Sequence, residues 1–328
     1  MGGKLKLDRL KNKLRVISFI FYFTLMMSSV YIILDTFVIP HEVASLEENI
    51  STQDQKVNST NIDSTKGESL QSEETDESST YDNSDATITS SSYKDDNVSI
   101  EITTSRKNNT TYYVADISIS SAKYLKTALA NNTYGRNIKD TTSSIAKNNN
   151  AIFAINGDYY GFRDYGYVIR NGVLYRDIAN NGNDALVIDE SGDFSIVNES
   201  EISAKELLDN GAWQVLSFGP GLIENGEIAV GENEEVSQAK NSNPRTAIGQ
   251  VDKLHYIIVV ADGRTSESEG LSLYELAQIM KDYNCTNAYN LDGGGSSTMY
   301  FNGEVVNNPT NGRGSGERSV SDIVYIGY

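Results

Sequence analysis

The chain has 328 residues and a formal net charge of −18, and hydrophobic residues make up 38% of it. This length allows one large domain or two small ones, and the acidic balance argues against nucleic acid and anionic membrane surfaces as partners of the folded part. Cys285 is the only cysteine. No intramolecular disulfide can form, which excludes the small secreted classes that depend on several disulfides.

An apolar segment lies near the N-terminus. Residues 1–15 carry six basic side chains, and residues 16–34 carry no charge. As a helix those 19 residues reach about 28 Å, the thickness of a bilayer's hydrocarbon core. We interpret residues 1–15 as a cytoplasmic segment and residues 16–38 as a transmembrane signal-anchor, with the C-terminal part outside the cytoplasm of a bacterial cell. A cleaved signal peptide is the alternative, although Ser28–Tyr31 is a poor cleavage site.

An acidic, Ser/Thr-rich stretch follows the apolar segment. Residues 41–96 contain fourteen acidic and three basic residues and few large apolar ones. Such a composition buries too little apolar surface to offset its conformational entropy. The sequence therefore predicts a disordered tether over residues 39–96 that holds a folded domain, residues 97–328, away from the membrane.

Alternating and continuous apolar runs predict the elements of this domain. The pattern indicates strands at 99–103 and 112–119, helical stretches near 121–130 and 143–147, and a buried central strand at 254–261. Asn-Gly pairs at 171–172, 225–226 and 302–303 predict hairpins, and residues 185–189 and 194–197 form a fourth strand pair. Ser272 and Glu275 form a capping box at the start of an amphipathic helix. The expected class is α+β, with mostly antiparallel or mixed β-sheet and flanking helices.

Four polar clusters lie at the ends of apolar runs, where ligand-binding loops are common. They are residues 154–160, 243–247, 261–264 and 290–298. The last contains three consecutive glycines after Asp292, and such a loop can bring backbone amides close to a polar ligand. Each cluster alone is equally compatible with a tight turn. Together they supply carboxylates, guanidiniums and a glycine-rich loop, which suits a sugar phosphate.

The same clusters resemble a known family. The runs at 156–160, 243–247, 262–264, 290–296 and 317–321 are similar, in this order, to motifs of the phosphodiester glycosidase family, and the resemblance covers residues 112–328. Two positions depart from the family pattern. Asp158-Tyr159-Tyr160 stands where a glycine and paired phenylalanines are common, and Ser319 stands where proline is common. The first departure adds a carboxylate to that loop.

The resemblance implies a hydrolase that cleaves a sugar-1-phosphodiester in cell-surface or exopolysaccharide glycans. It implies candidate catalytic carboxylates at Asp292 and Asp262, with Asp158 as third choice. Phosphate would bind the two arginines Arg245 and Arg264, and whether the reaction retains or inverts the anomeric configuration stays open. The implied substrate-binding residues are Asn156, Arg245, Thr246, Arg264, Asn290, Gly293, Gly294, Gly295, Ser296 and Arg318.

The composition of the chain also bears on other functions and on cofactors. His41 and His255 are the only histidines, which makes a histidine-based catalytic triad or zinc site improbable. No cofactor is expected, although clustered carboxylates admit a structural Ca²⁺ or Mg²⁺. The expected partners are a carbohydrate phosphodiester and, through residues 16–38, the lipid bilayer. A non-catalytic glycan-binding or polysaccharide-assembly module is the alternative function, because several tyrosines near residue 160 would suit stacking on sugars.

Overall fold

The computed structural model describes residues 2–43, 86–234, 242–311 and 314–328, with side chains described from residue 13 onward. Four α-helices are present in these ranges. They are α1 (Gly2–Phe37), α2 (Thr142–Asn148), α3 (Ala204–Asp209) and α4 (Leu273–Asp282). Short 3₁₀ turns lie at Ala122–Tyr124, Ala130–Asn132, Tyr160–Phe162 and Gly294–Ser296.

Strands dominate the rest of the described chain. In order they are β1 (His41–Glu42), β2 (Thr87–Ile88), β3 (Ser92–Lys94), β4 (Val98–Lys107), β5 (Thr110–Ile119), β6 (Leu125–Leu129), β7 (Gly135–Arg136), β8 (Phe153–Asn156), β9 (Val168–Arg170), β10 (Val173–Arg176), β11 (Asp184–Asp189), β12 (Phe194–Asn198), β13 (Ala212–Leu216), β14 (Gly221–Glu224), β15 (Glu227–Ile228), β16 (Arg245–Asp252), β17 (His255–Ala261), β18 (Asn287–Asn290), β19 (Met299–Phe301), β20 (Glu304–Val305) and β21 (Asp322–Ile326).

These strands form one large sheet, two smaller ones and a two-stranded ladder. The nine-stranded sheet has the order β15-β14-β18-β16-β17-β5-β4-β3-β2, and the five-stranded sheets have the orders β20-β19-β8-β21-β6 and β10-β9-β13-β11-β12. β1 pairs with β7. The pairings between these strands are antiparallel, as the Asn-Gly hairpins predict, and the expected α+β class is confirmed.

The main core lies between the nine-stranded sheet and the sheet that contains β8. Ile117 and Ile258 of the large sheet pack in one cluster with Phe153 and Val324 of the smaller sheet. The other face of the large sheet is covered by α4, whose Leu276 packs near Val259. β17 is therefore buried on both faces, which explains its continuous apolar sequence.

One predicted helix is wrong. Residues 125–129 form β6, which pairs with β21 almost 200 residues later in the chain. Helix propensity is a weak preference that long-range sheet pairing overrides. The predicted helices at 143–147 and after Ser272 are present, and the Ser272–Glu275 capping box is complete. A second capping box, at Ser203 and Glu206, starts the unpredicted helix α3.

Both ends of the segment predicted as a tether pair with the domain. At its C-terminal end, β2 and β3 extend the large sheet next to β4, so the folded domain begins near residue 86 rather than 97. At its N-terminal end, β1 pairs with β7 of the domain. Backbone pairing supplies at both ends the stabilisation that the polar side chains lack. Residues 44–85 lie outside the described residues.

Helix α1 has the length and composition of a membrane span. Its segment Lys13–Phe37 has a mean hydropathy of 2.0, and the apolar part of this segment is not buried against the domain. A signal sequence would pass the same test of length and composition.

Candidate active site

A cavity of about 420 Å³ opens at the end of strands β8, β18 and β21. Two of the four polar clusters, residues 154–160 and 290–298, meet there with the motif at residues 317–321. Its lining residues are Lys139, Asp158, Tyr159, Phe162, Asp292, Ser296, Asn311, Glu317, Arg318, Ser319, Val320 and Ser321. The structure thus brings together Asp158, Asp292, Ser296 and Arg318 from the predicted site.

Asp292 lies at the centre of this group. Arg318 donates from Nη2 to its Oδ2 at 3.0 Å and from Nε to the hydroxyl oxygen of Ser296, also at 3.0 Å. Asp292 is 7% exposed. Burial raises the pKa of its carboxyl group above the ordinary value, and Arg318 and the Ser296 hydroxyl offset part of that effect. The result is a buried carboxylate that faces the cavity and is held by one guanidinium.

A second guanidinium lies next to the first. A Cβ atom placed on Gly294 would approach Nη2 of Arg264 at 2.7 Å, so the Arg264 side chain lies against the glycine loop. Burial lowers the pKa of Arg264, the charge of Arg318 lowers it further, and Asp292 raises it. The Arg264 guanidinium donates to Oδ1 of Asn243 at 3.2 Å and does not line the cavity, but its charge acts on Arg318, and a bound anion would relieve the repulsion between the two cations.

The glycine loop has a structural reason for its composition. Gly294 has φ = +62°, a conformation that side chains other than that of glycine resist. Its amide donates to the carbonyl oxygen of Pro244 at 2.8 Å, so this amide points into the protein rather than at a ligand. Gly293 packs against Arg245, whose Cα would lie 3.8 Å from an added Cβ. In this loop it is the side chains around the glycines that face the cavity.

Behind the cavity lies a buried ionic cluster that the sequence analysis did not find. Arg170 donates to Asp158 from Nη2 and to Asp322 from Nε, each at 2.8 Å. Asp158 also accepts from the amides of Tyr160 and Ser217. Burial raises the pKa of Asp322 to about 7, against the lowering effect of Arg170. Asp158 lines the cavity but is committed to this network.

Asn156 joins the strands that carry the site. Its side-chain amide donates to the carbonyl oxygen of Asp292 at 2.6 Å, and its Oδ1 accepts from the Thr246 hydroxyl at 2.9 Å and from the Thr298 amide at 3.2 Å. Asn290 donates to the carbonyl oxygen of Gly219 at 2.7 Å. Asn156, Thr246 and Asn290 are fully buried. They hold the Asp292 loop in place instead of lining the cavity.

Asp262 and Arg245 lie away from the cavity wall. The Asp262 carboxylate accepts hydrogen bonds from Tyr113, from the side chain of Asn307, and from the amide and side chain of Asn308. Arg245 is 3% exposed and donates from Nε to the carbonyl oxygen of Leu271 at 3.0 Å. These contacts favour a structural role for Asp262 and Arg245.

Two aromatic rings and a lysine form another part of the wall. Tyr159 and Phe162 stack with ring centroids 4.7 Å apart, and Nζ of Lys139 lies 5.4 Å from the Phe162 centroid. Glu317 accepts from the amide and hydroxyl of Ser143 at the start of α2. No sequence pattern indicated Lys139, Phe162, Arg170 or Asp322 as residues of this site. Only the pairing of β8 with β21 brings Asp322 here, and no local pattern signals it.

The described residues contain no group of three or more His, Cys, Asp or Glu side chains arranged to hold a metal ion. The carboxylates at the site are matched instead by Arg170 and Arg318. A structural Ca²⁺ or Mg²⁺ stays a prediction.

Comparisons with known proteins identify the family and the fold of this chain. Residues 149–327 match the family model for phosphodiester glycosidases. The chain is 31% identical over 202 residues to the SPbeta prophage-derived uncharacterized protein YomE of Bacillus subtilis, and this aligned region covers 60% of this chain and 31% of that protein. It is 36% identical over 123 residues to human N-acetylglucosamine-1-phosphodiester alpha-N-acetylglucosaminidase, and this aligned region covers 33% of this chain and 24% of that protein. The chain therefore spans less than a third of the length of these relatives.

A solved structure shares the fold. The catalytic domain of the zebrafish N-acetylglucosamine-1-phosphodiester alpha-N-acetylglucosaminidase superposes with a TM-score of 0.57 at 22% identity, over 70% of this chain and 83% of that domain. At this identity the likeness concerns the fold alone.

Proposed function

The chain belongs to the phosphodiester glycosidase family, and we propose that it is a membrane-anchored hydrolase that cleaves a sugar-1-phosphodiester in the cavity around Asp292. The domain would lie outside the cytoplasm, and its substrate would belong to cell-surface or extracellular glycans. One observation carries the proposal: Asp292 lines the cavity at 3.0 Å from Arg318, and Arg264 is close enough for its charge to act on both. A carboxylate beside two guanidiniums suits a substrate with an electrophilic anomeric carbon and an anionic leaving group.

Arg318 and Arg264 stabilise the phosphate group of the substrate. A phosphodiester that enters the cavity brings its negative charge next to Arg318 and Arg264, where the Ser296 hydroxyl also lies. As the bond between the anomeric carbon and oxygen breaks, its electron pair stays on the phosphate oxygen and the charge on the phosphate increases. Fixed guanidiniums stabilise this developing charge without reorganising, and the low basicity of the phosphate reduces the need for a proton donor.

Asp292 acts at the anomeric carbon of the sugar. Its carboxylate either attacks the anomeric carbon or takes a proton from the water that does so. In both cases water supplies the new hydroxyl of the sugar, and the products are a reducing sugar and a phosphomonoester. Burial raises the pKa of the Asp292 carboxyl group, and the charge of Arg318 opposes that effect, which favours the ionised form that either role requires.

Turnover of a defined substrate tests the proposal. The full chain in detergent or nanodiscs is incubated with an N-acetylglucosamine-1-phosphodiester in ¹⁸O-labelled water. Cleavage at the anomeric carbon places the label in the released sugar, whereas cleavage at phosphorus places it in the phosphate. Unlabelled phosphomonoester with labelled sugar supports the proposal. Sugar binding without release would instead favour a glycan-binding module, for which the stacked Tyr159 and Phe162 provide a surface.

A further inference from the structure

The chain that leaves helix α1 is bonded to the wall of the cavity. Asn137, which is 5% exposed, donates from its side-chain amide to the carbonyl oxygen of Thr36 at 3.1 Å and to that of Ile39 at 3.0 Å. Next to it, His41 and Glu42 pair with Arg136 and Gly135. We call residues 36–43 the juxtamembrane segment. These hydrogen bonds attach the chain that leaves α1 to the domain.

The partner of this segment is continuous with the active-site cavity. The amide of Asn137 donates to the carbonyl oxygen of Gly161 at 3.1 Å, and the next residue, Phe162, lines the cavity. Lys139 also lines it, and its Cα lies within about 7 Å of that of Asn137 because two residues of chain reach no farther. The end of the apolar helix and the cavity wall are therefore parts of one packed unit.

The surface around the juxtamembrane segment carries exposed apolar side chains beside charged ones. A second cleft of about 310 Å³ is lined by Val43 of this segment together with Arg163 and Ile178 of the domain. Val43, Tyr165 and Ile178 are 50%, 47% and 55% exposed. Tyr165 lies beside Ile178, because the amide of Gly166 donates to the carbonyl oxygen of Ile178 at 2.7 Å. Outside α1, the exposed large hydrophobic side chains of the described residues are Val38, Val43, Ile88, Tyr165 and Ile178. All of them except Ile88 lie in or next to this segment.

From these contacts we propose that the domain rests on the membrane that α1 spans, with Val43, Tyr165 and Ile178 at the lipid surface, and that its substrate is a sugar phosphodiester anchored in that same membrane. The proposal rests on the proposed function and adds the substrate class to it. A span that ends at Phe37 places Thr36 and Ile39 at the level of the lipid headgroups, and their bonds to Asn137 hold the domain at that level. Exposed apolar and aromatic side chains are stable at such an interface. Because α1 supplies the anchor, this contact does not depend on attraction to anionic lipids, which the acidic balance of the chain disfavours.

Confinement to the surface has a kinetic consequence. A docked cavity meets a lipid-anchored phosphodiester at a high local concentration, whereas a soluble phosphodiester gains nothing from docking. The ratio of the two turnover rates therefore measures docking, and it does so independently of the chemistry, which affects both substrates alike.

Gly135→Ala breaks the contact. A Cβ at this position would lie 2.0 Å from the carbonyl oxygen of His41, which expels the juxtamembrane strand. Asn137→Gly removes the two side-chain hydrogen bonds and is tolerated by the backbone, since Asn137 has φ = +60°. The matched controls are Gly231→Ala, whose added Cβ meets only Glu234 at 3.9 Å, and Asn302→Gly in the β19–β20 hairpin, where φ is +45°.

The full chain is reconstituted in vesicles with two forms of one sugar-1-phosphodiester, soluble and lipid-anchored. We expect the ratio of anchored to soluble turnover to fall about tenfold or more in Gly135→Ala and in Asn137→Gly, and to stay within about twofold in the two controls. An unchanged ratio in both variants, whether or not the two rates fall together, would overturn the proposal. If the unaltered chain hydrolyses neither substrate, the proposed function fails, and the following probe decides docking alone.

The probe uses the single cysteine. Burial raises the pKa of Cys285 to about 12, so its thiol stays protonated and unreactive at neutral pH. A polarity-sensitive dye on Ile178→Cys should then report lipid contact and be quenched by shallow lipid quenchers. The same dye on Ile88→Cys, an equally exposed position on the edge strand β2, should not be quenched. Equal quenching at both positions, or at neither, would rule out docking through this face.

Discussion

Nη2 of Arg318 lies 3.0 Å from Oδ2 of Asp292, and this contact ties the last motif of the sequence to the glycine loop. The Asp292 side chain is 11% exposed and that of Arg318 is 41% exposed, so the carboxylate is enclosed while the guanidinium reaches the open cavity. An ion pair of this geometry favours the ionised form of a buried carboxylate and leaves part of the cation for a ligand. Substitutions at Asp292 and Arg318 test these two roles separately.

Replacing Asp292 tests the reactive group. We expect Asp292→Asn to lower turnover at least about 100-fold, because the amide neither attacks carbon nor accepts a proton. The fold should persist, since the change removes a charge that burial disfavours. Asp262→Asn is the matched control: its carboxylate accepts four hydrogen bonds outside the cavity, so we expect lower stability with near-normal activity of the folded fraction. The reverse pattern in activity and denaturant midpoints would exchange the two roles.

The acidic limb of the pH profile tests the state of Asp292. Its pKa is raised by burial, so the active ionised form is lost as the pH falls while still above the ordinary aspartate value of 3.8. Arg318→Lys weakens the hydrogen-bonded pairing that opposes this shift. The midpoint of the acidic limb in kcat/KM should then move to higher pH. A midpoint that does not respond to the Arg318 variant would separate the limb from Asp292.

Phosphate affinity tests the guanidinium pair. Arg318 donates from both Nε and Nη2 to Ser296, a planar arrangement that lysine cannot reproduce. We expect Arg318→Lys to weaken inhibition by inorganic phosphate about tenfold or more, since one charge-assisted hydrogen bond contributes about 1.5–3 kcal/mol. Arg106→Lys, on an exposed part of β4, should leave inhibition unchanged. Equal inhibition of the two variants would place the phosphate elsewhere.

The glycine loop can be tested by one added methyl group. Gly294→Ala introduces a Cβ at φ = +62° that approaches Arg264, so we expect a loss of activity well beyond the loss of stability. Gly303→Ala has the same kind of backbone strain, with φ = +96°, but its Cβ meets nothing within 4 Å. Strain of this kind costs about 1 kcal/mol. The comparison of activity at matched denaturant midpoints isolates the contact with Arg264.

The buried cluster predicts a stability change with pH. Because folding raises the pKa of Asp322 to about 7, the folded state binds a proton more tightly than the unfolded state, whose aspartates titrate near 3.8. This contribution is complete below pH 3.8 and is lost as the pH rises to about 7, with a slope of at most about 1.4 kcal/mol per pH unit. In Asp322→Asn, where Arg170 keeps Asp158, the free energy of unfolding should depend less on pH across that window. Parallel curves for the two proteins would assign the titration to another group.

Local sequence signals were sufficient for much of the architecture. The Asn-Gly pairs predict three hairpins because asparagine and glycine accept the positive φ of such turns, and all three are present. The Ser272–Glu275 box predicts the start of its helix for an equally local reason. Residues 125–129 were misread because their strand is stabilised only by β21, far along the chain.

The sequence by itself determined which residue types are available: an apolar span, a glycine loop beside Asp292, and the motif that carries Arg318. Only the tertiary structure decided which of them share the cavity, because antiparallel pairing aligns strands from distant parts of the chain. That pairing places Asp322 and Arg170 behind Asp158, turns Asp262 towards Asn307 and Asn308, and attaches residues 41–42 to the domain. Side-chain roles follow from these neighbours, and a linear pattern does not contain them.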